Sequence, residues 1–406
     1  MKLFSALLLG AALSASPLAA DMDPNMPMGH HHGNGPMTDA IKLANSYCLI
    51  INRDSGDVNL YEVATGKSNR IFLDKFASPH MGMISHDGRT LVVSGTGSNI
   101  IYLIDVATQK IMARIPAYGE PEHMDITPDS KYVFCGSMQG GVVQAIDLTT
   151  YSEAKAIDGF HEPHGYSTLP DGSKIYISNI GAHEVTVVDV NRLEVLKRIS
   201  VSAPTDPSTL NPSQYLNAIN GIVNPTLTQD GKLADCADGD VGIVAVIDTQ
   251  TDKLIDTIPV GVNPWRAYAS PDGKYILVPV SGDQVIAVID AHTHKLVSRM
   301  PAGANMTGVN YSNDGKKAYV ISHDDDTEFI YDLEHMRPAG KLFFGPNKAL
   351  ETATTDAEGR YVYLCSSTDD SIIVIDGKDD SYKHIYNIGT FPWGSHMMGS
   401  NDNYCH

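Results

Sequence analysis

Residues 163–189 open with Pro163-His164-Gly165-Tyr166-Ser167-Thr168-Leu169-Pro170-Asp171-Gly172-Ser173-Lys174-Ile175-Tyr176-Ile177-Ser178-Asn179 and close with Val185-Thr186-Val187-Val188-Asp189. Two strand-sized runs flank an Asp-Gly turn, and a third run ends on Asp. Asp-Gly between strand runs is the chemistry of a tight hairpin. The same phrase returns from Pro264-Trp265 through Asp272-Gly273-Lys274 to Val288-Ile289-Asp290. A repeat of about forty residues with four strand-sized pieces predicts an all-β fold, a β-propeller. Propellers host many unrelated chemistries, so function must be argued from a site.

Aligned on the Asp-Gly turn, further repeats open at Pro79, Pro121, Ile222, Met306 and Leu350. One more is split between the termini. Its outer strands are Tyr47–Ile51 and Val58–Glu62, and Gly394–Met398 is the expected innermost strand. The third-strand phrase recurs from Tyr61-Glu62-Val63 to Ile373-Val374-Ile375-Asp376. This predicts an eight-bladed β-propeller of four-stranded antiparallel blades, with seven blades as the alternative. The blade shared between N- and C-terminal segments closes the ring and hides sheet edges. Apolar runs such as Val241–Ile247 suit strands buried on both faces between stacked blades.

Residues 1–20 read as an export signal. Lys2 supplies the positive start, Leu7–Leu13 the apolar stretch and Leu18-Ala19-Ala20 the small-residue cleavage site. The type is bacterial, and the expected destination is the periplasm, with a soluble mature protein and no membrane span. Residues 21–40 form a Met/His-rich tail without periodicity, expected to be disordered. The single propeller domain is expected over 41–406. A net charge of −19 argues against a nucleic-acid partner, whose phosphates demand basic patches. Cys48, Cys135, Cys236 and Cys365 fall in the second strands of their repeats, as small core residues do. Cys405 is the fifth cysteine, and an odd count leaves one thiol unpaired or intermolecular. A Cys48–Cys405 bridge would lock the ring. Residues 202–219 are a long insertion between two blades, and such connections serve as lids or binding loops.

The repeats resemble the YVTN family of β-propellers. Residues 79–391 follow its rhythm, most closely at Ala269-Ser270-Pro271-Asp272-Gly273-Lys274-Tyr275-Ile276-Leu277-Val278 and Ile255-Asp256-Thr257-Ile258-Pro259-Val260-Gly261. The pattern is similar to the propeller shared by cytochrome d1-type haem domains, amine dehydrogenase large subunits and several periplasmic metal proteins. No Cys-x-x-Cys-His motif for covalent haem occurs.

The residue after each opening position precedes the innermost strand, where a side chain can point into the mouth of the central channel. These slots hold His80, Glu122, His164, Val223, Trp265, Thr307, Glu351 and Trp393, with His123, His161, Arg266 and His396 close by. Imidazoles and a carboxylate converging there suit copper or zinc. The expected metal ligands are His80, Glu122, His123, His161, His164 and His396. The competing structural reading is that a Pro-His-Gly histidine only hydrogen-bonds between blades. The tail His30-His31-His32, with its methionines, is a second copper candidate, set against a plain linker. Asp324-Asp325-Asp326 could take Ca²⁺, although acidic residues are ordinary in hairpin turns. His86, His183, His292, His294, His323, His335 and His384 are expected at the solvated surface.

Three functions follow. The first is a periplasmic metal-binding propeller for copper or zinc, acting in metal handling or delivery. The second is a redox enzyme or carrier of a modified haem, with an axial histidine, Trp265 and Trp393 stacked on the macrocycle and Arg266 pairing with a carboxylate. The third is a scaffold for a periplasmic protein partner.

Overall fold

Eight four-stranded antiparallel sheets stand in a ring in the computed structural model, which describes residues 37–203 and 221–400. The expected export signal, most of the expected Met/His tail, nearly all of the insertion and Cys405 lie outside the described residues. Blade 1 combines Pro392–His396, Tyr47–Asn52, Asp57–Glu62 and Arg70–Phe72, from the axis outward. Blades 2, 3 and 4 start with innermost strands Pro79–Ile84, Pro121–Ile126 and Pro163–Thr168. Blades 5, 7 and 8 start with Ile222–Leu227, Met306–Tyr311 and Leu350–Thr355. In blade 6 the innermost strand shrinks to Tyr268–Ala269, preceded by a bridge between Pro264 and Val280.

The repeated residues do local work. In the first turn of blade 6, Ser270 Oγ donates to Asp272 Oδ1 at 2.7 Å, and the same oxygen accepts the Lys274 N–H at 3.1 Å. Gly273 takes the left-handed conformation (φ 68°) that the turn requires. At the end of the third strand, Asp290 Oδ1 accepts the Thr293 N–H at 2.7 Å and its hydroxyl at 2.8 Å. One phrase therefore caps two turns per blade. Second and third strands are buried on both faces, as in Tyr275–Val280 and Val285–Asp290. Apolar clusters run between neighbouring blades, so blade-on-blade contact forms the core.

The ring closes in blade 1, where Leu49 pairs with His396 and Ile51 with Gly394. The closing strand starts two residues earlier than the sequence predicts, because Phe391 (φ 56°) turns the chain and Pro392 already pairs with Asn52. Asn52 is fully buried at this seam; its Nδ2 donates to Asp57 Oδ1 at 2.7 Å and to the Ile388 carbonyl at 2.8 Å. Asn52→Ala is expected to cost about 1–3 kcal/mol, because it strands buried Asp57 Oδ1, while the Ile388 carbonyl keeps the Asn59 Nδ2 donor at 3.0 Å. The check is a urea midpoint that falls with an unchanged slope.

The end of the expected tail and the start of the expected propeller domain instead form a helix, Asp39–Asn45, ahead of the first strand. Thr38 Oγ1 caps it by accepting the Ile41 N–H at 3.2 Å, and Ile41, Leu43 and Ala44 pack on the cluster between blades 1 and 2. Seven residues are too few for a helical period to stand out. All four cysteines among the described residues are buried in second strands, as expected. No helix among the described residues is long and apolar enough to cross a membrane.

Candidate functional site at the channel mouth

Every innermost strand is entered through a left-handed residue. These are Ser78, Glu120, Glu162, Gly221, Asn263, Asn305, Ala349 and Phe391, with φ between 42° and 93°. The pairing register then shifts within the first residues of the strand in blades 2, 3, 4, 5, 7 and 8. Such bulges re-aim side chains. Here they turn the slot residues toward the axis at one end of the channel.

Blades 1 to 4 bring four rings together there. His80 and His123 meet edge to face with centroids 5.0 Å apart, and His123 and His164 lie 4.0 Å apart. Trp393 lies 5.5 Å from His80. One ligand atom each from His80, Glu122 and His123 falls within 4.8 Å of the others. His123 and His164 are buried, whereas His80 keeps partial exposure at the mouth. His164 Nδ1 is hydrogen-bonded to the Val223 carbonyl of blade 5 at 2.9 Å, which is the inter-blade lacing that the structural reading of Pro-His-Gly expects.

Glu122 lies beside His123 Nδ1 at 4.0 Å. Burial, helped by the Glu120 charge, pushes its carboxyl up to about 7. A raised native pKa means the folded state holds the proton more tightly than the unfolded chain. Stability from this group is therefore present at low pH and lost as pH rises through about 7. Glu122→Gln is expected to leave stability unchanged near pH 4 and to raise it by roughly 2–3 kcal/mol near pH 8. Denaturant melts of ligand-free protein across this range check the sign.

The other expected site residues are placed differently. His161 is exposed, and its side chain is not part of the imidazole cluster. His396 is buried, but it sits three residues further along its strand than the Trp393 slot, a tier deeper. Trp265 packs on Val223, and Arg266 lies 5.1 Å from the centre of the Tyr268 ring, both on the wall across from blade 2. Arg53 was not anticipated. Its guanidinium lies 4.6 Å from the Trp393 ring centre and 3.8 Å from that of Phe391, so a cation stands beside the imidazoles. It comes from a hairpin turn in another part of the chain, where a lone Arg carries no signal.

The acidic run is explained by turns. Asp325 Oδ2 accepts the Ala304 N–H and the Ser322 hydroxyl, and Asp326 accepts the N–H groups of Asn347, Lys348 and Ala349. His183 overturns its surface expectation, because it is 4% exposed and held between Asp238 and Asp240.

The imidazole donors suit haem iron as well as zinc or copper. Trp393 offers a flat face, and Arg53 a charge for acidic ring substituents. The residues present thus fit a modified haem as well as a bare metal ion.

Residues 37–173 match the model of the YNCE-like β-propeller family. No curated protein sequence matches the chain. Among solved structures, the dihydro-haem d1 dehydrogenase NirN in complex with DHE is similar with a TM-score of 0.74 at 17% identity, covering 95% of this chain and 79% of that one. Hydrazine synthase of Kuenenia stuttgartiensis is similar with a TM-score of 0.57 at 20% identity, covering 75% of this chain and 96% of that one. At such identities the likeness is one of fold. The chain is therefore a β-propeller that carries the YNCE-like pattern over residues 37–173 and shares the fold of cytochrome d1-type propellers.

Proposed function

We propose that this protein binds a modified haem of the d1 type at the channel mouth, as a redox enzyme or carrier acting in the periplasm. The observation that carries this reading is the cluster of His80, His123 and His164 beside Trp393. The fold likeness to a dehydrogenase of dihydro-haem d1 supports it. His80 would supply an iron-binding nitrogen, since it is the partly exposed member of the three imidazoles. Trp393 and Arg53 would hold the plane and an acidic edge. When bound, the group supplies electron-transfer chemistry; the chain supplies the ligand, a water-poor wall and, at Glu122, a carboxyl poised to take or give a proton near neutral pH. The signal-like pattern of Lys2, Leu7–Leu13 and Leu18-Ala19-Ala20 is what favours the periplasm in this reading. Titration of the purified protein with haem d1, and with haem b as comparator, tests the reading. A saturable visible shift at one equivalent is expected, and no change with either haem overturns it.

A second reading is favoured by the convergence of His80, Glu122 and His123 on one point. It is a copper or zinc site serving metal handling or delivery. Tight binding of one such ion, lost on His80→Ala and accompanied by no tetrapyrrole binding, would select it.

A further inference from the structure

His183, Asp238 and Asp240 form a second cluster that the channel mouth does not use. His183 sits in the loop between the second and third strands of blade 4, at a left-handed position (φ 49°) that aims its ring toward blade 5. Asp238 ends the second strand of blade 5, and Asp240 lies in the following turn. All three side chains are at most 5% exposed. One ligand atom from each lies within 4.8 Å of the other two.

The distances suit coordination. Tetrahedral zinc bonds of about 2.0–2.1 Å place neighbouring ligand atoms roughly 3.3 Å apart. His183 Nε2 and Asp240 Oδ2 are 3.4 Å apart. The other ring nitrogen, Nδ1, lies 2.8 Å from Asp238 Oδ2 and 3.1 Å from Ser202 Oγ. A carboxylate on the far nitrogen of a ligating imidazole is the usual way a metal site fixes its ring. Asp238 Oδ1 is a separate sign. It is buried, and among the described residues it accepts no hydrogen bond. The charges agree as well. Two carboxylates and an imidazolium bury a net negative charge, whereas a divalent cation with neutral imidazole balances the pair.

We propose that His183, Asp238 and Asp240 form a binding site for a borderline divalent cation of the zinc class, distinct from the channel mouth. An imidazole with two carboxylates suits zinc-class ions, while calcium prefers an all-oxygen shell. Binding takes the place of the imidazole proton. The site joins two blades at the foot of the blade 4 to blade 5 connection. On the outgoing side Ser202 Oγ donates to Asp238 Oδ2 at 2.5 Å, and on the returning side the Gly221 N–H donates to Asp240 Oδ1 at 3.1 Å. The ion therefore holds both feet of that connection, independently of what the channel mouth carries.

The test uses full-length protein stripped with chelator and crystallised with ZnCl₂. An anomalous difference peak within bonding distance of His183 Nε2 and Asp240, with Asp238 held on the other ring nitrogen, is expected; its absence from this cluster overturns the proposal, whatever is found at the mouth. In solution, Asp238→Asn should lose one tightly held zinc equivalent relative to wild type, while His80→Ala keeps it. If Asp238→Asn folds and retains the wild-type zinc content, the proposal fails. Should that variant not fold, the wild-type anomalous map still decides.

Discussion

Alanine at His80 is expected to abolish imidazole ligation of added haem d1 and to weaken its binding at least about a hundredfold, roughly 2.7 kcal/mol. The reasoning rests on access. His123 and His164 are 5% and 2% exposed, and His164 already spends one ring nitrogen on the Val223 carbonyl. His80 is the partly exposed ring of the three, with Trp393 beside it, and its buried Nε2 would have to turn outward to meet a macrocycle approaching from solvent. Loss of the His80 imidazole would remove the iron-binding nitrogen outright, whereas Trp393→Ala would remove only a stacking face and should cost about tenfold. His164→Ala should keep the ligated spectrum while lowering the melting temperature, because its lacing to blade 5 is lost. A His80→Ala protein that folds, melts like wild type and still gives the ligated spectrum would assign the iron to another residue. A wild-type protein that never shows that spectrum would remove the haem reading itself.

The architecture was largely legible in the sequence because each repeated residue has a local task. Asp272 and Asp290 cap turns within their own hairpins, so the same phrase must recur wherever the same hairpin recurs. The slots were legible for the same reason, since all follow a left-handed entry residue. What the sequence hid depends on which blades face one another. Arg53 reaches Trp393 across 340 positions because the ring closes there. His183 looks like one more turn histidine until blade 5 brings Asp238 and Asp240 against it. Trp265 occupies a true slot position and Arg266 the residue after it, but on the opposite wall, a distinction that alignment of repeats does not carry. His161 lies three residues from His164 in sequence, yet it precedes the left-handed Glu162 and stays outside.

Ending the chain after Gly389 is expected to destroy the monomer. This removes the innermost strand of blade 1, Pro392–His396, and with it the pairing of Leu49, Ile50, Ile51 and Asn52. Those four residues are at most 1% exposed in the closed ring, so the truncated chain presents an apolar strand with an open edge. Such an edge templates pairing with another chain. The loss also uncovers the core under Met397 and Met398, which are 7% and 8% exposed, and breaks the Ser395 hydroxyl's bond to the Tyr363 carbonyl of blade 8. Each large apolar side chain contributes about 1.5–3 kcal/mol when buried, against a total stability of about 5–15 kcal/mol. The truncated protein should elute from a sizing column as oligomers or fail to stay in solution. A synthetic peptide of residues 390–406 added during refolding should restore the monomer, because it supplies the missing strand without a covalent link. A truncated chain that runs as a monomer and melts cooperatively near the wild-type temperature would show that the other seven blades hold the ring by themselves. The same variant should lose haem binding even if it folds, because Trp393 leaves the side of His80 together with the strand that carries it.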